Sequence, residues 1–236
     1  MKNFTTVLSL KSLRLLTLLL VSTSLLTITS CKKTEEVPTT ATSYLRIINA
    51  SPTLGTVDVY INTQKANTGA LPFGGAIKYI QPAAGKCDVK FTIANDLDAL
   101  LTKSVTLTAN LAYSYYLIDK GSNLDGLLVS DLMNATTMDK AYVKFINLSR
   151  DAPALSLNVV GGASLATNKT YKTNSEFVAV DVKTQSFEIK DGAGIVKTTL
   201  LNEPILGGRY YTIIARGYLN PGNNDQAFSG QAIINQ

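Results

Sequence analysis

Residues 44–51 read YLRIINAS, and residues 142–149 read YVKFINLS. Tyrosine, a basic residue, Ile-Asn and serine recur in step at an offset of 98. Outward from this phrase the register holds. Val57, Val59 and Ile61 fall on Leu155, Leu157 and Val159, Phe73 on Tyr171, and Tyr79 on Phe177. Val89 and Phe91 fall on Phe187 and Ile189. Further on, Tyr115-Tyr116 matches Tyr210-Tyr211 at an offset of 95, as a three-residue loop deletion would produce. The chain therefore reads as two copies of one domain, each of roughly 95 residues.

Both copies alternate apolar and polar residues with period two. Leu45 and Ile47 face one way and Arg46 the other; Val143, Phe145 and Lys144 repeat the pattern. The same alternation runs through VDVYI, CDVKFTI, SVTLT, SFEIK and YYTIIA, and breaks at SPTLG, NTGALPFGG, QPAAG, DGAG and NPGNND. No window of about a dozen residues after Cys31 keeps a helical period. About seven short strands per copy, with turns at sandwich spacing, predict an all-β chain of two tandem immunoglobulin-like β-sandwich domains. Their bounds are 44–138 and 139–236, with the hinge MDKA at 138–141, and the pair is expected to form a rod of limited bend.

The first 30 residues hold Lys2, Lys11 and Arg14, no acid, and an apolar stretch from Leu15 to Ile28. That stretch falls short of the roughly 20 residues a bilayer span needs, so a secretory signal peptide is expected over 1–30. Ile28-Thr29-Ser30-Cys31 resembles the lipobox of bacterial lipoproteins. The resemblance implies that Cys31 receives acyl chains, palmitate among them, and becomes the first residue of the mature protein. Several chains give durable membrane attachment where one is marginal. Residues 31–43 then read as the lipidated cysteine and a flexible tether, KKTEEVPTTATS, that spans at most about 40 Å. Lys32 stands where aspartate would favour inner-membrane retention, and KKTEE loosely resembles surface-export signals of some lipoproteins. Both imply the outer membrane and its cell surface, with the periplasmic face as the alternative.

The net charge of +5 looks like an affinity for nucleic acid, but without the leader 19 bases face 17 acids. No basic run remains to follow a phosphate backbone, so no nucleic-acid partner is expected. There is no histidine, which removes the commonest general base and metal ligand. Cys87, inside the strand pattern KCDVKF, reads as a small core hydrophobe.

LRIINASPTLGTVDVYIN, residues 45–62, resembles the opening of the bacterial domain of unknown function numbered 4397. That family opens with a valine-rich strand, His-Ala-Ser-Pro-Asp-Ala-Pro and then Val-Asp-Val-Tyr. Here the first copy keeps Ala50-Ser51-Pro52 and Val57-Asp58-Val59-Tyr60. The second keeps Asp151-Ala152-Pro153 and has LSLNV in place of the second signature. A later trait of the family appears as Leu206 to Thr212. The family histidine is Asn49 and Asn147 here, so no role of an imidazole transfers. The resemblance implies a secreted or anchored bacterial protein and no particular activity.

Asn49-x-Ser51 and Asn147-x-Ser149 stand in both copies and predict turn caps at a strand end. Asp96 and Asp98, Asp119 and Asp125, and Asp225 lie in copy-specific loops whose spacing fits no calcium loop and predicts turn chemistry. No serine has a histidine base, and no motif marks a Ser-Lys pair. Tyr113, Tyr115, Tyr116, Tyr210 and Tyr211 lie in strand patterns; one per copy is a candidate tyrosine corner, and an exposed one could stack on a sugar. The expected protein is not an enzyme and uses no cofactor or metal. It is a membrane-anchored binding or adhesion module for a glycan or an envelope protein. The alternative is a structural spacer or accessory subunit of an envelope complex.

Overall fold

The computed structural model describes residues 41–53, 55–134 and 137–235. The leader 1–30, Cys31 and the tether as far as residue 40 lie outside the described residues. Among the described residues the regular structure is strand, apart from one 3-10 turn at Gly121–Asn123. In the first half, β1 (Tyr44–Asn49), β6 (Ala112–Ile118) and β7 (Asp125–Ser130) form one sheet in the order β1-β6-β7. Facing it are β2 (Val57–Ile61), β3 (Gln64–Lys65), β4 (Gly85–Ile93) and β5 (Ala99–Leu107), in the order β3-β2-β4-β5. The second half repeats this plan. β8 (Lys140–Asn147), β11 (Val178–Asp181), β14 (Tyr210–Arg216) and β15 (Ser229–Ile234) order as β11-β8-β14-β15. Its other sheet, from β9 (Leu155–Val159), β10 (Ser164–Lys169), β12 (Thr184–Asp191) and β13 (Val196–Pro204), orders as β10-β9-β12-β13.

Each half is a β-sandwich with its own core. Leu45, Ile47, Val59, Phe91 and Tyr115 fill the first, which also buries Cys87. Val143, Phe145, Leu157, Phe187 and Ile213 fill the second. In both halves the opening strand runs parallel to a distant partner: Ile47 faces Tyr115 on β6, and Phe145 faces Ile213 on β14. Parallel neighbours need a long crossover. Here the crossover is the opposite sheet itself, since β2 to β5 intervene between β1 and β6.

This pairing corrects the register read from the sequence. Tyr44 pairs with Ala112 and Tyr142 with Tyr210, so the offset of 98 persists to the last pairs of strands. Tyr115 and Tyr116 match Ile213 and Ile214, not Tyr210 and Tyr211. A slip of three is odd, and in a strand it would exchange the core face for the opposite one. The tyrosine corners confirm the longer offset. Tyr113 OH accepts from Thr108 N at 3.3 Å, and Tyr211 OH from Leu206 N at 2.9 Å.

The expected rod is also corrected. A third apolar cluster joins Ile48, Tyr116, Ile118 and Val129 of the first half to Ile146, Leu148, Ile214 and Ile233 of the second. Sheets β1-β6-β7 and β11-β8-β14-β15 thus lie back to back, and the halves meet across a broad seam rather than at a hinge alone. This is why β1 and β14 are buried almost throughout instead of at alternate residues. Each isoleucine buried there contributes about 1.5–3 kcal/mol. The fold also begins before Tyr44. Asn110 N donates to Thr42 O at 2.8 Å and Ser43 N to Pro82 O at 3.0 Å, which takes Ala41 to Ser43 out of the tether.

Candidate functional site

Burying a seam between two sheets forces a decision on Arg46 and Lys144, the residues that alternate away from the two cores. Both point into the seam. Arg46 Nη2 donates to Ile234 O at 2.7 Å, and Lys144 Nζ donates to Ser130 O at 2.8 Å. Each cation reaches the last strand of the opposite half, a reciprocity that marks an isologous contact. Arg46 lies over the Tyr79 ring at 4.9 Å and Lys144 over the equivalent Phe177 at 4.3 Å.

Just beyond those last strands stand Asp131 and Asn235. Their backbone N–H groups donate to Ala112 O and Tyr210 O, so they occupy matching places. Asp131 is fully engaged. Its carboxylate accepts from Ser114 Oγ at 2.6 Å, Tyr79 OH at 2.7 Å and Lys144 Nζ at 3.2 Å. Burial and the Asp131 charge push the Tyr79 hydroxyl well above its ordinary pKa, so it stays a donor. Asn235 has poorer company. Its Oδ1 accepts from Thr212 Oγ1 at 2.9 Å, but Phe177 offers no hydroxyl, and its buried Nδ2 has no partner.

At this end of the seam a cleft of about 430 Å³ opens. Tyr44, Leu111, Ala112, Leu132 and Met133 give it apolar walls, and Tyr79, Asp131, Asn110, Asn134 and Asn235 give it polar ones. Its counterpart in the second half, beside Tyr142, Glu176, Phe177 and Tyr210, measures only about 220 Å³. One substitution between the halves accounts for the difference. Where the first half has Ala112, the second has Tyr210, which stacks on Tyr142 at 4.9 Å and meets Phe177 edge-on at 4.9 Å. The larger cleft lies within the roughly 300–1,000 Å³ usual for small-molecule sites.

The remainder of the seam is ionic. Asp119, buried against the second half, accepts from Arg150, from Tyr171 OH at 3.1 Å and from Tyr218 OH at 2.9 Å. Lys120 pairs with Asp225, and Asp125 bridges Lys103 and Lys172, the latter at 2.6 Å. Burial raises the Asp125 pKa, but the hydrogen bonds from Lys103 and Lys172 outweigh it and hold the carboxyl at about 2, below its ordinary 3.8. A depressed folded-state pKa means stability present above pH 3.8 and lost as pH falls toward 2. Asp125→Asn should therefore flatten the acid limb of the stability curve in that window. Circular-dichroism melts between pH 5 and 2, roughly the range over which such linkage acts, measure it; an unchanged acid limb would show that this bridge does not tie the halves.

The residues singled out in the sequence divide cleanly. Asn49 and Asn147 cap their turns through Ser51 N and Ser149 N at 3.1 and 3.0 Å. Ser51 Oγ and Ser149 Oγ then donate to Asp119 O and Gly217 O, so the repeated Asn-x-Ser fastens β1 and β8 to the strand beside them. Asp96 closes its turn by accepting from Leu97 N and Asp98 N. Asp58 of Val-Asp-Val-Tyr is buried, bound to Lys65 Nζ at 2.8 Å and Asn95 N at 3.0 Å, a structural role. The turn expectation is corrected for Asp119 and Asp125, which cross the seam. Asp225 does both, since it closes its own turn at Gly222 N and pairs with Lys120. Tyr113, Tyr115, Tyr116, Tyr210 and Tyr211 are all buried, so none of these five offers a face for open stacking. Cys87, 1% exposed, is likewise enclosed, and burial raises its thiol pKa. Cys31 lies outside the described residues. Among the described residues no three histidine, cysteine or acidic side chains gather to hold a metal. The cleft residues Asn110, Asn134 and Asn235 carry no motif; only the pairing of Ala112 with Tyr210, read at the true offset, would have exposed them.

Residues 43–158 match the family model described as Domain of unknown function (DUF4397), which is consistent with a DUF4397-like domain over this stretch. The match covers the first half and the opening of the second. No curated protein matches the chain. A solved structure from a study of alpha-glucan recognition by family 41 carbohydrate-binding modules of streptococcal virulence factors is similar at 14% identity. It covers 73% of this chain and 92% of that one with a TM-score of 0.25, a likeness too distant to bear on function.

Proposed function

We propose that this chain is a lipid-anchored lipoprotein of the cell envelope that binds a glycan or protein ligand without chemically changing it. The observation that carries the reading is the open cleft at the seam, with a partnerless buried amide donor and a floor carboxylate already bonded to lysine. A general acid or base needs a carboxyl free to exchange a proton with its substrate. Among the described residues Asp131 is the one acid lining the cleft, and three hydrogen bonds occupy it. We read residues 159–236 as the remainder of a divergent second copy of the family domain, its own cleft narrowed by Tyr210.

Attachment through Cys31 places the protein at the outer membrane, facing outward. Cys31→Ser should abolish acylation and release or mis-sort the chain, with the apparent mass of the anchored form lost. Mass spectrometry of the native N-terminus checks this, and an unmodified start elsewhere would end the lipoprotein reading. Protease shaving of intact cells tests the side. For binding itself, the full-length lipidated chain is used to probe a glycan array and to capture partners from native envelopes. Silence in both would sink the module.

A further inference from the structure

We infer that the open cleft takes an uncharged, hydroxyl-bearing sugar unit of a glycan, a conclusion that rests on the binding reading above. Three features of the site converge on this chemistry.

The first is a vacant donor. Asn235 lines the cleft and is 4% exposed; its Nδ2, buried behind that wall, has no partner among the described residues. A buried donor left unsatisfied costs about 1–3 kcal/mol, so a turn of the Asn235 amide toward a ligand oxygen in the cleft recovers a real penalty. The amides of Asn110 and Asn134 stand on the same walls, each able to donate and accept. Hydroxyls, which also do both, match such a lining.

The second is an aromatic surface. Tyr44, 40% exposed, flanks the opening, and Ala112 leaves room beside it. The electron-rich face of a tyrosine ring suits the weakly positive C–H bonds of a sugar ring. In the second half the equivalent surface, Tyr142, is already covered by Tyr210. The protein thus shows what a narrowed version of this site looks like.

The third is charge. Among the described residues Asp131 is the one charged residue in the lining, and Lys144 Nζ sits 3.2 Å from it. Neither an unpaired cation nor an unpaired anion of the lining is left to select a charged group. An anionic sugar or a peptide terminus would have to desolvate its charge with nothing opposite.

The test uses the full-length chain in detergent micelles and isothermal calorimetry. Maltoheptaose, cellohexaose and chitohexaose are neutral probes, and an oligogalacturonate of similar length is the anionic one. At least one neutral probe should bind. Ala112→Tyr, which copies the second half, and Asn235→Leu should each weaken it about tenfold or more, the equivalent of one good hydrogen bond or contact. Should Ala112→Tyr misfold, Tyr44→Ala at the exposed rim takes its place, with an unchanged melting curve as the control. Preference for oligogalacturonate would overturn the inference, as would neutral binding indifferent to all three variants. Capture of an envelope protein, lost in Ala112→Tyr while no sugar binds, would overturn the glycan and leave the binding module standing. No sugar and no captured partner would remove both.

Discussion

Lys144→Met is expected to lower the unfolding free energy of the whole chain by about 3–5 kcal/mol, the usual result of stripping one partner from a buried ion pair. The Lys144 and Asp131 side chains are 2% and 0% exposed, so water cannot replace the lost ammonium. The variant would also leave Ser130 O without its donor from the second half. Because buried pairs are repaired by removing both charges, Lys144→Met with Asp131→Asn should regain much of the loss. Urea unfolding of the single and double variants measures the difference. A single variant within about 0.5 kcal/mol of wild type, the range of ordinary surface changes, would mean that the seam is wet and the pair is not buried.

Phe145→Ala should cost a similar amount, about 3–5 kcal/mol, through the cavity left in the second core. Its reach is more informative than its size. Phe145 lies on β8, whose opposite face supplies Ile146 to the seam. Loosening β8 therefore removes the floor under Ile48, Tyr116 and Ile118. Hydrogen exchange should show 142–235 opening together with β1 and β6 of the first half. If 44–130 keeps full protection, the halves are independent units joined by a hinge, as alternation alone suggests.

That contrast shows where reading the sequence succeeds. Ile47 and Phe145 do fill separate cores, and Asn-x-Ser caps both opening strands, because period-two burial and side-chain turn bonding are local rules. The tyrosine corners were within reach for the same reason. The offset of 95 rests only on the likeness of Tyr115-Tyr116 to Tyr210-Tyr211, and the strand pairing overrides it. Partner strands far away in the chain, not neighbours, set that register.

The sequence by itself determined the strand content, the residues of the two sandwich cores and the resemblance of residues 45–62 to the family domain. What it left open were the faces that Arg46 and Lys144 occupy. A basic residue opposite a core reads as solvated, since isolated charges avoid burial. Only the tertiary structure brings Ile234 O within reach of Arg46, and Ser130 O and Asp131 within reach of Lys144. The cleft follows from the same packing. Ala112 and Asn235 are 123 positions apart, and neither carries a local signal. The space between them exists because two sheets meet there and one half has a small residue where the other has a tyrosine.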